Sequence, residues 1–165
     1  MTDDLPRQLA KLARPVPDAL VSQRTVGGGR TADYVGHASI TEMLLMIVGP
    51  FDLRLVDVVR DANGGAVVGA VVELSVTIDG RPTTVQEIGA IEHERGHDAE
   101  RLKLAMSDGL KRCALRVGLA SELWSRNGGW LFESIVKQVK GDPGRAAPDP
   151  EPVADDRPDP DGTDG

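Results

Sequence analysis

Asp98-Ala-Glu-Arg-Leu102-Lys-Leu-Ala-Met106-Ser107-Asp108-Gly109-Leu110-Lys111-Arg112-Cys113-Ala-Leu-Arg116-Val117-Gly118 is the longest stretch of helical periodicity in the chain. At 100° per residue, Leu102, Met106, Leu110, Cys113 and Val117 fall on one stripe, at spacings of 4, 4, 3 and 4. Lys111, Arg112 and Arg116 occupy an arc on the other side. The spacing predicts a helix over 98–118 with one face built for burial and three cations displayed opposite. Basic residues late in a helix also complement the negative end of its dipole. The cations alone therefore do not separate a binding surface from a stabilised helix end.

Upstream of this helix the apolar period changes from 3.6 to 2. Three strands are expected, at about Phe51 to Arg60, Ala66 to Ile78 and Pro82 to Glu92. Asn63-Gly64-Gly65 and Asp79-Gly80 separate them, and turns this short join antiparallel neighbours, which makes a meander. Phe51, Leu53 and Leu55 alternate, whereas Val67 to Val72 is almost continuously apolar and reads as the covered centre of the sheet. The long helix then packs its apolar stripe across one face.

Nearer the N-terminus, Leu5 to Leu12 reads as a short helix with Leu5, Leu9 and Leu12 on one face, stopped by Pro15 and Pro17. Two extended runs, Leu20 to Val26 and Arg30 to Gly36, are joined by Gly27-Gly28-Gly29 and read as a β-hairpin. A phosphate-cradling loop is the weaker reading, because no Lys-Ser/Thr follows the glycines and no helix opens there. His37 to Val48 reads as a helix with Ile40, Leu44 and Ile47 inward, ended by Gly49-Pro50. A last helix is expected from Trp130 to Val139, after Asn127-Gly128-Gly129. The fold class is α+β: a β-hairpin and a three-stranded antiparallel meander packed on a long helix.

The 165 residues, 40% of them hydrophobic, suit one domain with a sizeable core. A single cysteine, Cys113, allows no internal disulfide and fits a reducing compartment. The first residues are acidic with no apolar run behind them, and Met43 to Val48 is too short to span a bilayer, so a cytoplasmic protein without a membrane partner is expected. The net charge of −7 is unevenly spread. Asp142 to Gly165 carries eight acids against Arg145 and Arg157, which leaves 18 acids and 17 bases, a net of −1, for the rest. Six prolines share that tail with almost no large apolar side chain, so it is expected to be disordered. The division is an ordered domain over 1–141 and an acidic tail over 142–165. Binding to nucleic acid by the near-neutral domain would depend on local clusters of cations rather than on a global field.

His93-Glu94-Arg95-Gly96-His97 fits the H-E-x-x-H pattern of zinc hydrolases. That chemistry needs both histidines on one face of a helix, yet Gly96 falls inside the motif and the better helix start lies after it. Glu122 is the only remote candidate for a third ligand. The alternative reading is a solvated connection between the last strand and the long helix, and no cofactor is expected.

With the elements in this order, the chain resembles the single-strand annealing domain of the Rad fifty-two recombination family, in the compact form of its phage and bacterial relatives. The matching residues are Arg24-Thr-Val-Gly27-Gly28-Gly29-Arg30-Thr-Ala-Asp-Tyr34-Val-Gly36-His37 and Ser107-Asp108-Gly109-Leu110-Lys111-Arg112, with looser agreement at Gly89 and in the strand spacing. The resemblance covers about Leu5 to Trp124. It implies an oligomeric ring with an outer groove for single-stranded DNA, bound by its backbone, and annealing of complementary strands without ATP. It implies no enzyme activity, and as partners single-stranded DNA, further copies of the chain, and a single-strand-binding protein or an exonuclease. Carried over by position, Arg24, Arg30, Tyr34, Lys111 and Arg112 would form the DNA site. Arg116 is the sixth candidate for that site, standing one residue away from the family's next arginine. A second, outer DNA site has Arg95 as its nearest counterpart here. Besides the zinc hydrolase, a small β-β-β-α module binding protein or double-stranded RNA remains the competing class.

The tail generates the first test. If its carboxylates compete with DNA phosphates for a basic face, deleting Asp142 to Gly165 tightens single-strand binding at low salt, and the gain fades as salt rises. Identical titrations of the full and shortened chains would leave the tail a role in solubility alone.

Overall fold

The computed structural model describes residues 7–26, 29–62, 65–91, 96–125 and 129–139. Its elements run α1 (Arg7–Leu12), β1 (Val21–Val26), β2 (Arg30–Val35), α2 (His37–Val48), β3 (Asp52–Arg60), β4 (Val67–Ile78), β5 (Arg81–Ala90), α3 (Asp98–Arg116) and α4 (Trp130–Val139). The strands form two antiparallel sheets, a two-stranded β1-β2 and a three-stranded β3-β4-β5. The fold is α+β. The tail over 142–165 and the His93-Glu94-Arg95 part of the H-E-x-x-H stretch lie outside the described residues.

Local chemistry accounts for the junctions. At the β4–β5 turn, Asp79 and Gly80 both take positive φ, 48° and 78°, the combination that matches the twist of a two-residue hairpin. The Asp79 carboxylate also accepts hydrogen bonds from the Gln8 and Leu9 backbone N–H groups, at 2.9 and 3.3 Å. A hairpin tip thus caps the first turn of α1 from outside that helix. The Gln8 side-chain amide donates to the Ile47 carbonyl at 2.9 Å, which ties α1 to the end of α2.

α3 is fastened at both ends. At its start the Asp98 carboxylate accepts from Arg60 at 2.8 Å and from the Val67 N–H at 3.3 Å, so the helix begins where β3 and β4 meet. At its end Gly118, at φ 100°, reverses the backbone. The Leu119 N–H reaches the Ala114 carbonyl and the Gly118 N–H reaches the Leu115 carbonyl, both at 2.9 Å, the paired bonds of a Schellman cap. The helix therefore stops at Arg116, two residues before the sequence spacing places its end.

β4 is the central strand. Ala70, Val72, Leu74 and Val76 are buried on one face, while Val71, Glu73 and Ser75 between them are only half-buried. The nearly continuous apolar run marks the centre of the sheet, but from Ala70 to Val76 burial alternates between the two faces. The second face carries cross-strand polar rows, with Glu73 taking Arg54 at 3.5 Å and Gln86 at 2.7 Å, and Ser75 bonding Thr84 at 3.0 Å.

The buried face of α3 consists of Ala105, Gly109, Leu110, Cys113 and Ala114. Leu102 and Met106, expected inside, are partly buried at the margin. The helix is turned so that its smallest side chains meet the sheet. A Cβ on Gly89 of β5 would stand 2.6 Å from the Gly109 nitrogen and 2.9 Å from the Ala105 carbonyl carbon. A Cβ on Gly109 would stand 2.8 Å from the Cβ of Val72. Gly89 lets the helix backbone rest on the backbone of β5, and Gly109 makes room for the Val72 side chain of β4. The wider core of Leu12, Ile40, Leu44, Val72, Leu74 and Leu119 is aliphatic apart from the Cys113 thiol, and no aromatic side chain is buried in it among the described residues.

Gly89→Ala places a methyl group against helix backbone that cannot give way, and thermal or urea unfolding should show a loss of at least about 2 kcal/mol. Gly36→Ala meets no atom within 4 Å and has an ordinary φ, so it should cost less than about 1 kcal/mol. Equal, small effects at both positions would contradict the close helix–sheet approach.

Candidate nucleic-acid interface

A cleft of about 490 Å³ lies between the β1-β2 hairpin and the second half of α3. The hairpin register, with Arg24 opposite Ala32 and Ser22 opposite Tyr34, puts Arg24 and Tyr34 on the same face of the ribbon. Both line the cleft, as do Lys111 and Arg112 from α3 and Trp124 from just beyond the 3-10 turn at Ser121–Leu123. Four of the six residues singled out from the sequence thus converge on one concave surface, although the hairpin and the helix are separated by the whole three-stranded sheet.

Asp108 orders the cationic wall. Its carboxylate accepts the Ala90 N–H of β5 at 3.1 Å and the Arg112 Nε–H at 2.7 Å, and the Lys111 Nζ lies 3.7 Å away. Burial pushes the Asp108 carboxyl up, but the Arg112 hydrogen bond, the Ala90 N–H and the charges of Arg112 and Lys111 outweigh it and hold the group below its ordinary value. The Arg112 guanidinium also lies over the Trp124 ring, 5.6 Å from its centroid, within cation–π range. One carboxylate, two cations and one indole form a continuous assembly along this wall.

The remaining expected residues lie elsewhere. Arg116 is absent from the cleft lining and is ion-paired with Glu87 of β5, on the sheet side of the helix. Arg30 opens β2 opposite Val26, and its side chain lies outside the described residues, as does Arg95. Of the H-E-x-x-H stretch, Gly96 has φ 96° and His97 is an extended N-cap with φ −77° and ψ 159°, so the α3 helix opens only after both. Glu122 accepts the Val16 N–H at 2.7 Å. Among the described residues no cluster of three His, Cys, Asp or Glu side chains is placed to hold a metal ion. None of the described helices is long and apolar enough to cross a membrane.

Cys113 lies under the sheet, with its Sγ 3.6 Å from the Val72 carbonyl oxygen. Burial, with the nearby charge of Glu87, pushes its thiol up to about 11, which keeps it protonated and suits a packing role. Asp108 and Trp124 had no assigned role from sequence. Asp108 was visible only as part of a motif, and a tryptophan beyond the end of a helix in a chain with 3% aromatics was the available sign of the other.

No protein-family model matches the chain, and no curated protein matches it. The residues of the cleft therefore stand on their own chemistry.

The depressed Asp108 carboxyl has a stability consequence with a fixed sign. Its ionised form contributes above the unfolded-state value of about 4, and that contribution is lost as pH falls through the lower folded-state value. Asp98, held below its ordinary value by the Arg60 and Val67 bonds, acts in the same direction. In urea unfolding across about pH 6 to about pH 3, Asp108→Asn should be the less stable protein at the upper end, with the gap to the parent closing towards the lower end. A gap independent of pH would contradict the ion-paired carboxylate.

Proposed function

We propose that this protein binds single-stranded DNA through the cleft and promotes annealing of complementary strands without ATP, as an oligomeric ring of the kind its resemblance implies. The observation that carries the reading is the meeting of Arg24 and Tyr34 from the hairpin with Lys111 and Arg112 from the helix on one concave surface. A strand tracked without sequence preference needs cations spaced for phosphates and flat side chains beside sugars or bases. The cleft offers both.

The modest charge of one protomer fits this role. Outside the tail the chain is nearly neutral, so a single cleft would hold a few phosphates weakly, and repetition around a ring multiplies that contact along the strand. β3 supports assembly because it is an edge strand with exposed Leu55 and Val56, and an edge of this kind offers backbone groups to a neighbouring copy. Annealing forms and breaks no covalent bond in the protein's substrate. Neutralising phosphate repulsion and holding two strands extended lowers the cost of pairing, while the bases supply the specificity. No catalytic group or cofactor is required, and the function is that of a binding protein of recombination and repair.

Replacing both Lys111 and Arg112 by alanine should weaken single-strand binding and lower the slope of log affinity against log salt by about one to two, with unfolding still cooperative. Arg116→Ala, which breaks a pair with Glu87 outside the cleft, should change that slope much less. Fluorescence anisotropy of a labelled oligonucleotide measures both. An unchanged slope in the double variant would remove these residues from the site.

A further inference from the structure

Five aromatic residues serve the whole chain: two tryptophans, one tyrosine and two phenylalanines. None is buried in the core among the described residues, and two of them, Tyr34 and Trp124, line the same cleft with 40% and 51% of their surface exposed. Leaving an indole half in water forgoes the burial free energy that a tryptophan would contribute inside. Trp124 is nevertheless held in place, because the Arg112 guanidinium over its ring is itself fixed by Asp108, and Asp108 is fixed by the Ala90 N–H. An exposed ring with a restrained orientation beside two cations has the composition of a stacking platform next to phosphate contacts.

Resting on the annealing reading above, we propose that Trp124 is a stacking platform for one unpaired nucleobase per protomer, and that this contact makes the cleft prefer single strands to duplex. Every base has a π-face, so such a contact tolerates any sequence. A paired base is already stacked between its neighbours and cannot present that face, so a duplex forfeits the contact. The cations hold the phosphates, the indole holds one base, and the bases between successive protomers remain open to a complementary strand. When pairing withdraws the held base from Trp124, the product is bound less tightly than the substrate, which favours release of the annealed duplex. The strand-selective element is therefore separate from the charge that gives affinity.

The chain's other tryptophan is Trp130, so Trp130→Phe makes Trp124 the sole indole reporter. This protein is titrated at fixed salt with an oligothymidylate, an abasic oligonucleotide of equal length, and a duplex of equal length. The oligothymidylate should quench the fluorescence and bind roughly 5- to 150-fold more tightly than the abasic strand, and the duplex should leave the fluorescence unchanged. Trp124→Leu, which keeps an apolar side chain but no ring, should erase the preference for thymidylate over the abasic strand while keeping the salt slope. The comparison of strands on the Trp130→Phe protein needs no change at Trp124, so it holds even if the leucine variant unfolds. Equal, salt-sensitive binding of thymidylate and abasic strands overturns the stacking platform and leaves the annealing reading standing. Absence of salt-sensitive binding to any strand overturns the annealing reading, and the platform with it.

Discussion

The contact between Gly89 and Gly109 is the constraint on which the rest of this molecule depends. With no side chain at either position, the backbone of α3 rests on β5, and Ala105, Cys113 and Ala114 continue the small-residue face on either side. That approach brings Asp108 within hydrogen-bonding reach of the Ala90 N–H, one residue along the strand from Gly89. Asp108 in turn holds Arg112 and attracts Lys111, and Arg112 covers the indole of Trp124. A packing requirement between a helix and a strand is thereby converted into the position of two cations and an aromatic ring in a cleft several residues away.

The electrostatics of that cleft are a compromise. Asp108 is a counter-charge to the cations that would hold phosphates, and in that respect it would compete with a bound strand. It also spares Lys111 and Arg112 the conformational freedom that long basic side chains ordinarily lose on binding. In the proposed role a phosphate would meet donors already oriented by Asp108, whose carboxylate lines the cleft and is tied to the Ala90 N–H of β5. Arg116, one helical turn beyond Arg112, shows the contrasting use of a cation on the same helix. It spends its charge on Glu87 and fastens α3 to the sheet.

Most elements were legible because each carries a strong local signal. The α2 helix runs from His37 to Val48, as expected from its apolar spacing and flanking glycines, the last helix from Trp130 to Val139, as expected after the glycines that precede it, and the three strands lie within two residues of their expected limits. The orientation of α3 was less legible. Periodicity of large apolar residues favours Leu102 and Met106 as core, whereas Ala105 and Gly109 mark the closest approach, and small side chains carry almost no weight in a hydrophobic pattern. The alternating burial of β4 was hidden because valine occupies both faces of the strand, Val72 the buried one and Val71 the half-buried one. At the cleft, basic and aromatic positions on the hairpin and helix were visible, but the Asp108–Ala90 bond and the proximity of Trp124 are long-range facts. Neither follows from spacing, since both depend on how the helix lies across the sheet.

Zero-length photo-crosslinking of an oligonucleotide carrying 4-thiothymidine, followed by peptide mapping, tests most directly the claim that this cleft is where a single strand lies. The account predicts adducts in the peptides bearing Arg24 and Tyr34 and in those bearing Lys111 to Trp124, suppressed by unlabelled single strands and by high salt. Adducts confined to the opposite face of the sheet, on the rows built from Arg54, Glu73, Ser75 and Gln86, would contradict it.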